Sequence, residues 1–553
     1  VTSTLYRRGV VHSSADPFAE ALVVEDGTIV WIGADDTADG LADRADEVVD
    51  LDGALVAPAF VDAHAHVLET GFALEGVDLS AAAGVTSLDA ALAAVHAAAE
   101  EVRAAGGERA GLPLLGHGWD ELAWPEGRAP TREELDRAAG GAPVYLARVD
   151  VHSAVVSTSF AEALGLPALR GWRDDGLVTL DAHHAARDAA RDVDAARRDA
   201  LYARVLRAAA ASGIVALHEH SAPHVDTREG LVALLAMTAD ARSGLPHVAG
   251  YRAELCVTSD DARELLAAVP GLTGIGGDLS VDGSLGSRTA ALRSPYADAP
   301  AGSEHPSGVL HLDAGRLSNH VAAVTRAGSH AAFHVIGDRA MDEVLVGLRA
   351  AVDVEGVGAI RGAGHRLEHA SMIDAPTLAA LVLLGVRVST QPAFDAAWGG
   401  PGGMYARRLG EGRSDALHPL ADLAAAGIPL AFGSDSPVTP FDPWGAVRAA
   451  VTHHAPDQRI SARAAFRAHT RGGWRAAGLD DTGAGEIRLG APAHLAVWRA
   501  EHLTVQAADG RVSAWSTDAR AGTPLLPDVS PGAPAPRCLR TVRAGVVLHD
   551  ELA

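Results

Sequence analysis

Two histidines one residue apart, His64 and His66, close an apolar run that starts at Leu55. In an extended strand, residues i and i+2 face the same side, so both imidazoles can address one divalent ion. Further along, His334 precedes Val335-Ile336-Gly337-Asp338, His369 follows Leu367-Glu368, and Asp435 follows Gly433-Ser434. Chance alone gives about one His-x-His among 26 histidines in 553 residues, and a second occurs at His218-Glu219-His220. The joint placement of His64, His66, His334, His369 and Asp435, each at the end of a β-like segment, carries the chemistry. Neutral imidazoles hold an ion such as Zn²⁺ while leaving a position open for water. Such an ion lowers the pKa of water from about 16 towards about 7. A carboxylate beside that water, here Asp435, can take its proton and pass it to a leaving nitrogen.

Side chains this scattered need a scaffold that gathers strand ends. Apolar β segments at 55–66, 214–220, 253–257, 278–282, 330–336, 366–369, 387–391 and 429–435 alternate with Ala-rich stretches of helical spacing, such as 339–352 and 374–384. Eight strands with helical crossovers predict an α/β fold, a (β/α)₈ TIM-type barrel over 58–68 plus 206–483, with its catalytic groups at the C-terminal strand ends. The first and second strands lie about 150 residues apart, against roughly 30 for one β/α unit. Residues 69–205 are therefore expected to form an inserted α+β cap subdomain, with helices at 87–104 and 185–211 and a strand at 143–149. Both chain ends read as short strands (5–11, 21–24, 28–32, 51–56, then 494–498, 511–514 and 539–547), with Asp26-Gly27 as a hairpin turn. Segments 1–57 and 484–553 are expected to be all-β.

Composition narrows the chemistry. All 46 basic residues are arginine. A chain without lysine has no P-loop lysine, no Schiff-base lysine and no carboxylated lysine to bridge two metals. The net charge of −25 argues against a nucleic-acid partner, which needs a basic face. Cys256 and Cys538 are too few for a disulfide framework or a cysteine-built zinc site. No apolar run reaches the ~18–20 residues of a membrane helix, and Val1-Thr2-Ser3-Thr4 opens no signal-peptide pattern. The expectation is a cytoplasmic protein with a small-molecule substrate and no membrane partner; a homo-oligomer is compatible with the sequence.

Several stretches together resemble the amidohydrolase superfamily, specifically its Amidohydrolase-3 branch related to the N-substituted formamide deformylases. They are Ala57-Pro-Ala-Phe-Val-Asp-Ala-His-Ala-His66, His117-Gly-Trp-Asp120, Arg148-Val-Asp-Val-His-Ser153, Asp282-Gly-Ser-Leu-Gly-Ser-Arg-Thr-Ala290, Phe333-His-Val-Ile-Gly-Asp-Arg-Ala340, Leu367-Glu-His369 and Phe432-Gly-Ser-Asp-Ser-Pro437. The resemblance implies a metal-bearing barrel plus a small β-sandwich assembled from both chain ends. It places His64 and His66 as first-strand metal ligands, His334 and His369 as the fifth- and sixth-strand histidines, and Asp435 as the catalytic aspartate.

The sequence departs from the pattern on the fourth strand. Many relatives carry a lysine four residues before the Asp-Gly; here that position is Asp278. An aspartate carboxylate lies only about 2.5 Å from its Cα, well short of a carboxylated lysine, and metal sites tolerate about 0.2 Å in ligand distance. From an unshifted strand Asp278 would not bridge. One divalent ion, expected as Zn²⁺, held by His64, His66, His334 and Asp435 is therefore favoured over two. His369 serves as a further ligand or binds the reacting oxygen. The two-ion alternative needs a bridging carboxylate such as Asp278 or Glu219.

From the insert, His117, Trp119, Asp120, Arg148 and His152 are expected to cap the site and contact substrate. His218 would line the pocket, and Arg288 is read either as a bidentate contact to a substrate carboxylate or as half of a structural ion pair. Trp398, Met404 and Tyr405 flank Gly399-Gly-Pro-Gly-Gly403, read either as a mobile loop over the site or as an ordinary long surface loop. The expected reaction is hydrolysis of a C–N bond in an amide, N-formyl or cyclic amide by metal-activated water, with Asp435 as proton shuttle and His369 on the oxyanion. The alternative is deamination of an aromatic heterocycle. Such enzymes commonly carry a glutamate three residues after the fifth-strand histidine, where this chain has Gly337. A non-catalytic barrel scaffold is the remaining reading.

Overall fold

The computed structural model describes residues 2–105, 112–506, 515–516 and 524–552; the strand expected at 511–514 lies outside the described residues. Eight parallel strands form a ring: β1 (Phe60–Ala65), β2 (Ile214–Ser221), β3 (His247–Arg252), β4 (Leu272–Ile275), β5 (Ala332–Val335), β6 (Arg366–His369), β7 (Arg387–Thr390) and β8 (Leu430–Phe432). They pair as two four-stranded sheets, β4-β3-β2-β1 and β5-β6-β7-β8. Parallel bridges Ile275↔Ala331 and Ser280↔His334 join the sheets at one seam, and Ala65↔Ser436 closes the other. At the second seam Asp435 N–H donates to His64 O at 2.7 Å and His66 N–H to Ser436 O at 3.0 Å. The seam thus sets the two ends of β1 and β8 side by side.

Every residue of β1 and β2 is buried, as expected for parallel strands covered on both faces. The outer face is covered by amphipathic helices. In the helix Asp338–Glu355, Met341, Val344, Leu345 and Leu348 are buried at helical spacing, and it packs on the helix Ala314–Arg326, whose N-cap Asp313 accepts from Arg316 N–H at 2.9 Å.

Two strands lie earlier in the chain than the pattern predicts. β3 ends at Arg252 rather than covering 253–257, and β4 ends at Ile275 rather than covering 278–282. The reason at β4 is Gly276-Gly277, at φ 115° and 78°. These values break the ladder, and the chain rejoins its neighbour only through the Ser280 bridge.

Between β1 and β2 the chain builds a separate five-stranded sheet, from Val77–Asp78, Leu114–Trp119, Val144–Arg148, Ala154–Val156 and Leu177–Val178. It has an apolar core of its own around Leu88, Val95, Trp119, Leu135 and Val155. A five-stranded sheet joins both chain ends: Val10–Val11 and Leu55–Pro58 pair with Leu495–Arg499, Arg537–Arg543 and Val546–Asp550. It shares a core, including Leu22, Ile29, Val497 and Leu539, with the four-stranded N-terminal sheet. Among the described residues no helix is long and apolar enough to cross a membrane.

Candidate metal centre and active site

The inner face of β1 presents Asp62, His64 and His66, and each has a fixed role. Asp62 Oδ1 accepts from the N–H groups of His64 (3.2 Å) and Ser434 (2.9 Å), tying β1 to the end of β8. His64 Nδ1 lies 2.9 Å from Glu368 Oε2, His66 Nδ1 donates to the His220 carbonyl at 3.0 Å, and His369 Nδ1 lies 2.8 Å from Gln391 Oε1. Donation from Nδ1 leaves Nε2 of each ring free to face the barrel axis. His334 is turned the other way: Nε2 donates to the Gly283 carbonyl at 3.2 Å and Nδ1 faces inward. His369 and Asp435 both adopt left-handed backbone angles, φ 66° and 56°. This uncommon conformation for non-glycine residues re-aims each side chain beyond the strand alternation.

The inward atoms converge. Asp435 Oδ1 stands 3.2 Å from His66 Nε2 and 3.4 Å from His64 Nε2. Asp278 Oδ1 stands 3.1 Å from His334 Nδ1, 3.6 Å from His369 Nε2 and 3.8 Å from His64 Nε2, while its Oδ2 is 3.5 Å from His66 Nε2. Asp278, expected to fall short only from an unshifted strand, stands within this group of donors. The glycine pair presses the backbone inward: a Cβ on Gly276 would sit 1.9 Å from Ala332 O, and one on Gly277 2.6 Å from His220 Nδ1. Glu219 remains outside the donor groups and accepts from Val67 N–H at 2.6 Å; burial pushes its carboxyl up to about 8.

This donor set fits a divalent cation. The fully buried His64 Nε2 finds no hydrogen-bond partner among the described residues, and His64-His66-Asp278, His64-His369-Asp435 and Asp278-His334-His369 each bring three donor atoms within 4.8 Å. Burial alone would raise the carboxyls of Asp278 and Asp435, yet the surrounding imidazoles outweigh it and hold both below the usual range. In turn the carboxylates overcome burial and hold His66 and His334 up at about 9. Carboxylates kept anionic beside converging imidazole nitrogens are the donor types that a divalent cation takes.

A narrow cavity opens beside the cluster, walled by Leu285, Ile336, Phe394, Trp398, Tyr405 and Val438, with His152, His334, His369 and Asp435 at its polar end. Trp398, Met404 and Tyr405 belong to two short helices, Pro392–Trp398 and Met404–Leu409, so the glycine-rich stretch is the turn between them. His152 comes in from the insert, its ring centroid 5.5 Å from that of His334; burial, then the neighbouring His334, lowers it to about 4. The other residues expected to bind substrate are placed elsewhere. Trp119 is buried in the insert core and donates to Leu146 O. His117 lines a different cavity, beside Glu69 and Arg191. His218 lies beneath the cluster, 2.7 Å from Arg366, and Arg288 is engaged bidentately by Asp298 at 3.0 and 2.7 Å. Arg148 holds Asp120, Glu121 and Asp150 in an ion network and, with Trp119 and Arg288, lines a separate cavity.

Sequence reasoning missed Glu368, Arg366 and Gln391. The signal for Glu368 was present as the residue before His369, since strand alternation places it and Arg366 on the inner face.

The family model described as the Amidohydrolase family matches residues 47–549. The protein YtcJ of Bacillus subtilis (strain 168) is 28% identical over 456 residues, covering 78% of this chain and 80% of its own. An N-substituted formamide deformylase of Arthrobacter pascens is 24% identical over 513 residues, covering 87% and 90%. Among solved structures, an uncharacterized metal-dependent hydrolase from Pyrococcus furiosus superposes with a TM-score of 0.67 at 27% identity, over 90% of this chain and 98% of that one. With the histidine and aspartate cluster at the mouth of the barrel, the match over nearly the whole sequence means that this chain belongs to the Amidohydrolase family.

Proposed function

We propose that the protein is a metal-dependent hydrolase of a C–N bond in an amide, N-formyl or cyclic amide, with Asp435 as the proton shuttle. The observation that carries this reading is the position of Asp435: its carboxylate lies 3.2–3.4 Å from His66 and His64 while also lining the apolar cavity. His64, His66, His334, His369, Asp278 and Asp435 are the residues that would hold the divalent metal. When bound, it supplies Lewis acidity that acidifies water and polarises a carbonyl.

The protein's own groups do the rest. Asp435 takes the proton of the attacking water and delivers it to the departing amine nitrogen, a transfer that favours a carboxylate with access to both. His152, held neutral, is available to hydrogen-bond the substrate carbonyl or the leaving group. Phe394, Trp398 and Tyr405 exclude bulk water from the substituent side, which strengthens every polar interaction at the reacting end. A relative aligned over most of the chain is named an N-substituted formamide deformylase, which supports an acyl C–N bond as the target.

Asp435→Ala tests the assignment against a panel of N-formyl amines, linear amides and cyclic amides. Loss of all turnover is expected, with a melting temperature close to the parent's and a lowered metal content, because Asp435 is also one of the metal donors. Full activity in the variant would overturn the role. Ammonia release from purines or pyrimidines, with none of the amides turned over, would replace the reading by a heterocycle deaminase.

A further inference from the structure

We infer that the active-site cavity recognises an alkylammonium group beside the metal centre, so that the substrate class is an amide carrying a second, protonated nitrogen, such as an N-acylated diamine. This substrate class rests on the C–N hydrolase reading above and names the substituent which that reading leaves open.

Apart from the metal donors, the charged group on the cavity wall is Asp150. Its side chain is nine-tenths buried. Its Oδ2 accepts from the hydroxyls of Ser284 at 2.6 Å and Ser287 at 2.8 Å, and stands 3.2 Å from Arg148 Nη1. Its Oδ1 is buried with no hydrogen-bond partner among the described residues. A buried acceptor left unpaired is costly, and an N–H donor brought by a ligand would complete it. Burial alone would raise this carboxyl, yet Arg148 and then His152 outweigh it and hold it well below the usual range.

The counter-charge of Asp150 is shared out. Arg148 also pairs with Asp120 and Glu121, Arg408 with Glu121 and Asp298, and Arg288 with Asp298. Within this network three guanidiniums meet four carboxylates, which leaves one negative charge beside the cavity. Among the described residues no arginine lines the cavity itself. A substrate carboxylate would meet a like charge there, whereas an ammonium would neutralise it.

The other walls suit a cation on an alkyl stem. Phe394, Trp398 and Tyr405 stand together, with ring centroids 5.0 Å apart for the first pair and 6.2 Å for the second. Aromatic rings attract an ammonium placed over their faces, and Leu285, Ile336 and Val438 offer apolar contact to its methylenes. A net charge of −25 also draws cations towards the protein.

Two measurements on the full, metal-loaded chain test this. Calorimetry at neutral pH with hexylammonium and hexanol reads recognition without turnover, and the ammonium should bind about 10–30-fold more tightly. The kcat/KM values should then fall in the order N-formyl diaminohexane, N-formyl hexylamine, N-formyl aminohexanoate. Asp150→Asn should bring hexylammonium and hexanol to within about fivefold, the share left to the rings. Trp398→Leu should weaken hexylammonium more than hexanol. Should Asp150→Asn fail to fold, the ranking in the parent and the Trp398→Leu comparison decide. Equal affinity for the two probes, faster turnover of the carboxylate substrate, or an ammonium preference unchanged in the variants would each overturn the inference. Hydrolysis of the formyl compounds without regard to charge would defeat it alone; an ammonium preference with no amide hydrolysed would instead defeat the C–N hydrolase reading.

Discussion

Glu368 Oε2 lies 2.9 Å from His64 Nδ1, with both side chains fully buried beneath the metal cluster. Arg366 anchors the same carboxylate, with Nε at 2.5 Å and NH2 at 3.0 Å, and its guanidinium lies over the Tyr251 ring at 4.9 Å. The carboxylate therefore fixes the His64 tautomer, leaving Nε2 unprotonated towards the centre. Glu368→Gln should weaken metal affinity by about 10–100-fold. It should also cost about 3–5 kcal/mol of stability, because Arg366 is left buried without its counter-charge. Competition with a chelator reads the first and urea denaturation the second; unaltered metal affinity would remove Glu368 from the centre's design.

Gly276 offers a test of the backbone itself. At φ 115° only glycine is comfortable, and the added methyl of Gly276→Ala would face the Ala332 carbonyl at 1.9 Å. Strain of about 1–3 kcal/mol is expected, with the end of β4 pushed outward and Asp278 withdrawn. Bound metal should fall more than the melting temperature does. A variant that keeps the parent's metal content would show that the close approach is unnecessary.

Phe60 links the core to the site. Fully buried at the start of β1, it makes edge contacts with Trp444, Phe466 and Trp498 at ring separations of 5.1, 5.3 and 5.7 Å. Phe60→Ala should lose about 3–5 kcal/mol and loosen the strand that carries His64 and His66. Denaturant unfolding measures the loss; a change below about 1 kcal/mol would mean that the site collapses around the cavity.

Buried histidines remote from the metal predict an acid limit to stability. His320 Nδ1 accepts from Cys256 N–H and His365 Nδ1 from Ala331 N–H, both at 3.0 Å, roles that require an unprotonated nitrogen. Burial lowers His320 from 6.5 to about 4 and His365 to about 3, the latter helped by His320 and Arg387. Below 6.5 the unfolded chain binds protons that the folded chain refuses, so stability falls as pH falls, from 6.5 down to these values. Each ring contributes up to about 1.4 kcal/mol per pH unit in that window. Melting temperatures at pH 7.5 and 5 should differ accordingly, and the difference should shrink in His365→Asn; a flat profile would contradict neutral burial.

The β/α alternation was legible in the linear sequence, as were the residue types and the spacing of His64, His66, His334, His369 and Asp435. Periodicity and i, i+2 spacing are local properties, and strand ends of a parallel barrel share one face. The absence of lysine was equally plain, since composition needs no coordinates.

Position across the barrel was not legible. That Asp278 reaches the centre depends on two glycine dihedral angles and on the approach of β4 to β5, and a change of an ångström or so would undo it. That Arg288 is held by Asp298, that Trp119 sits in the insert core, and that His152 alone of the expected insert contacts reaches the cavity were decided by packing between segments far apart in the chain. Side chains reach only a few ångströms, so residue type states what chemistry is available and the tertiary structure decides which groups meet.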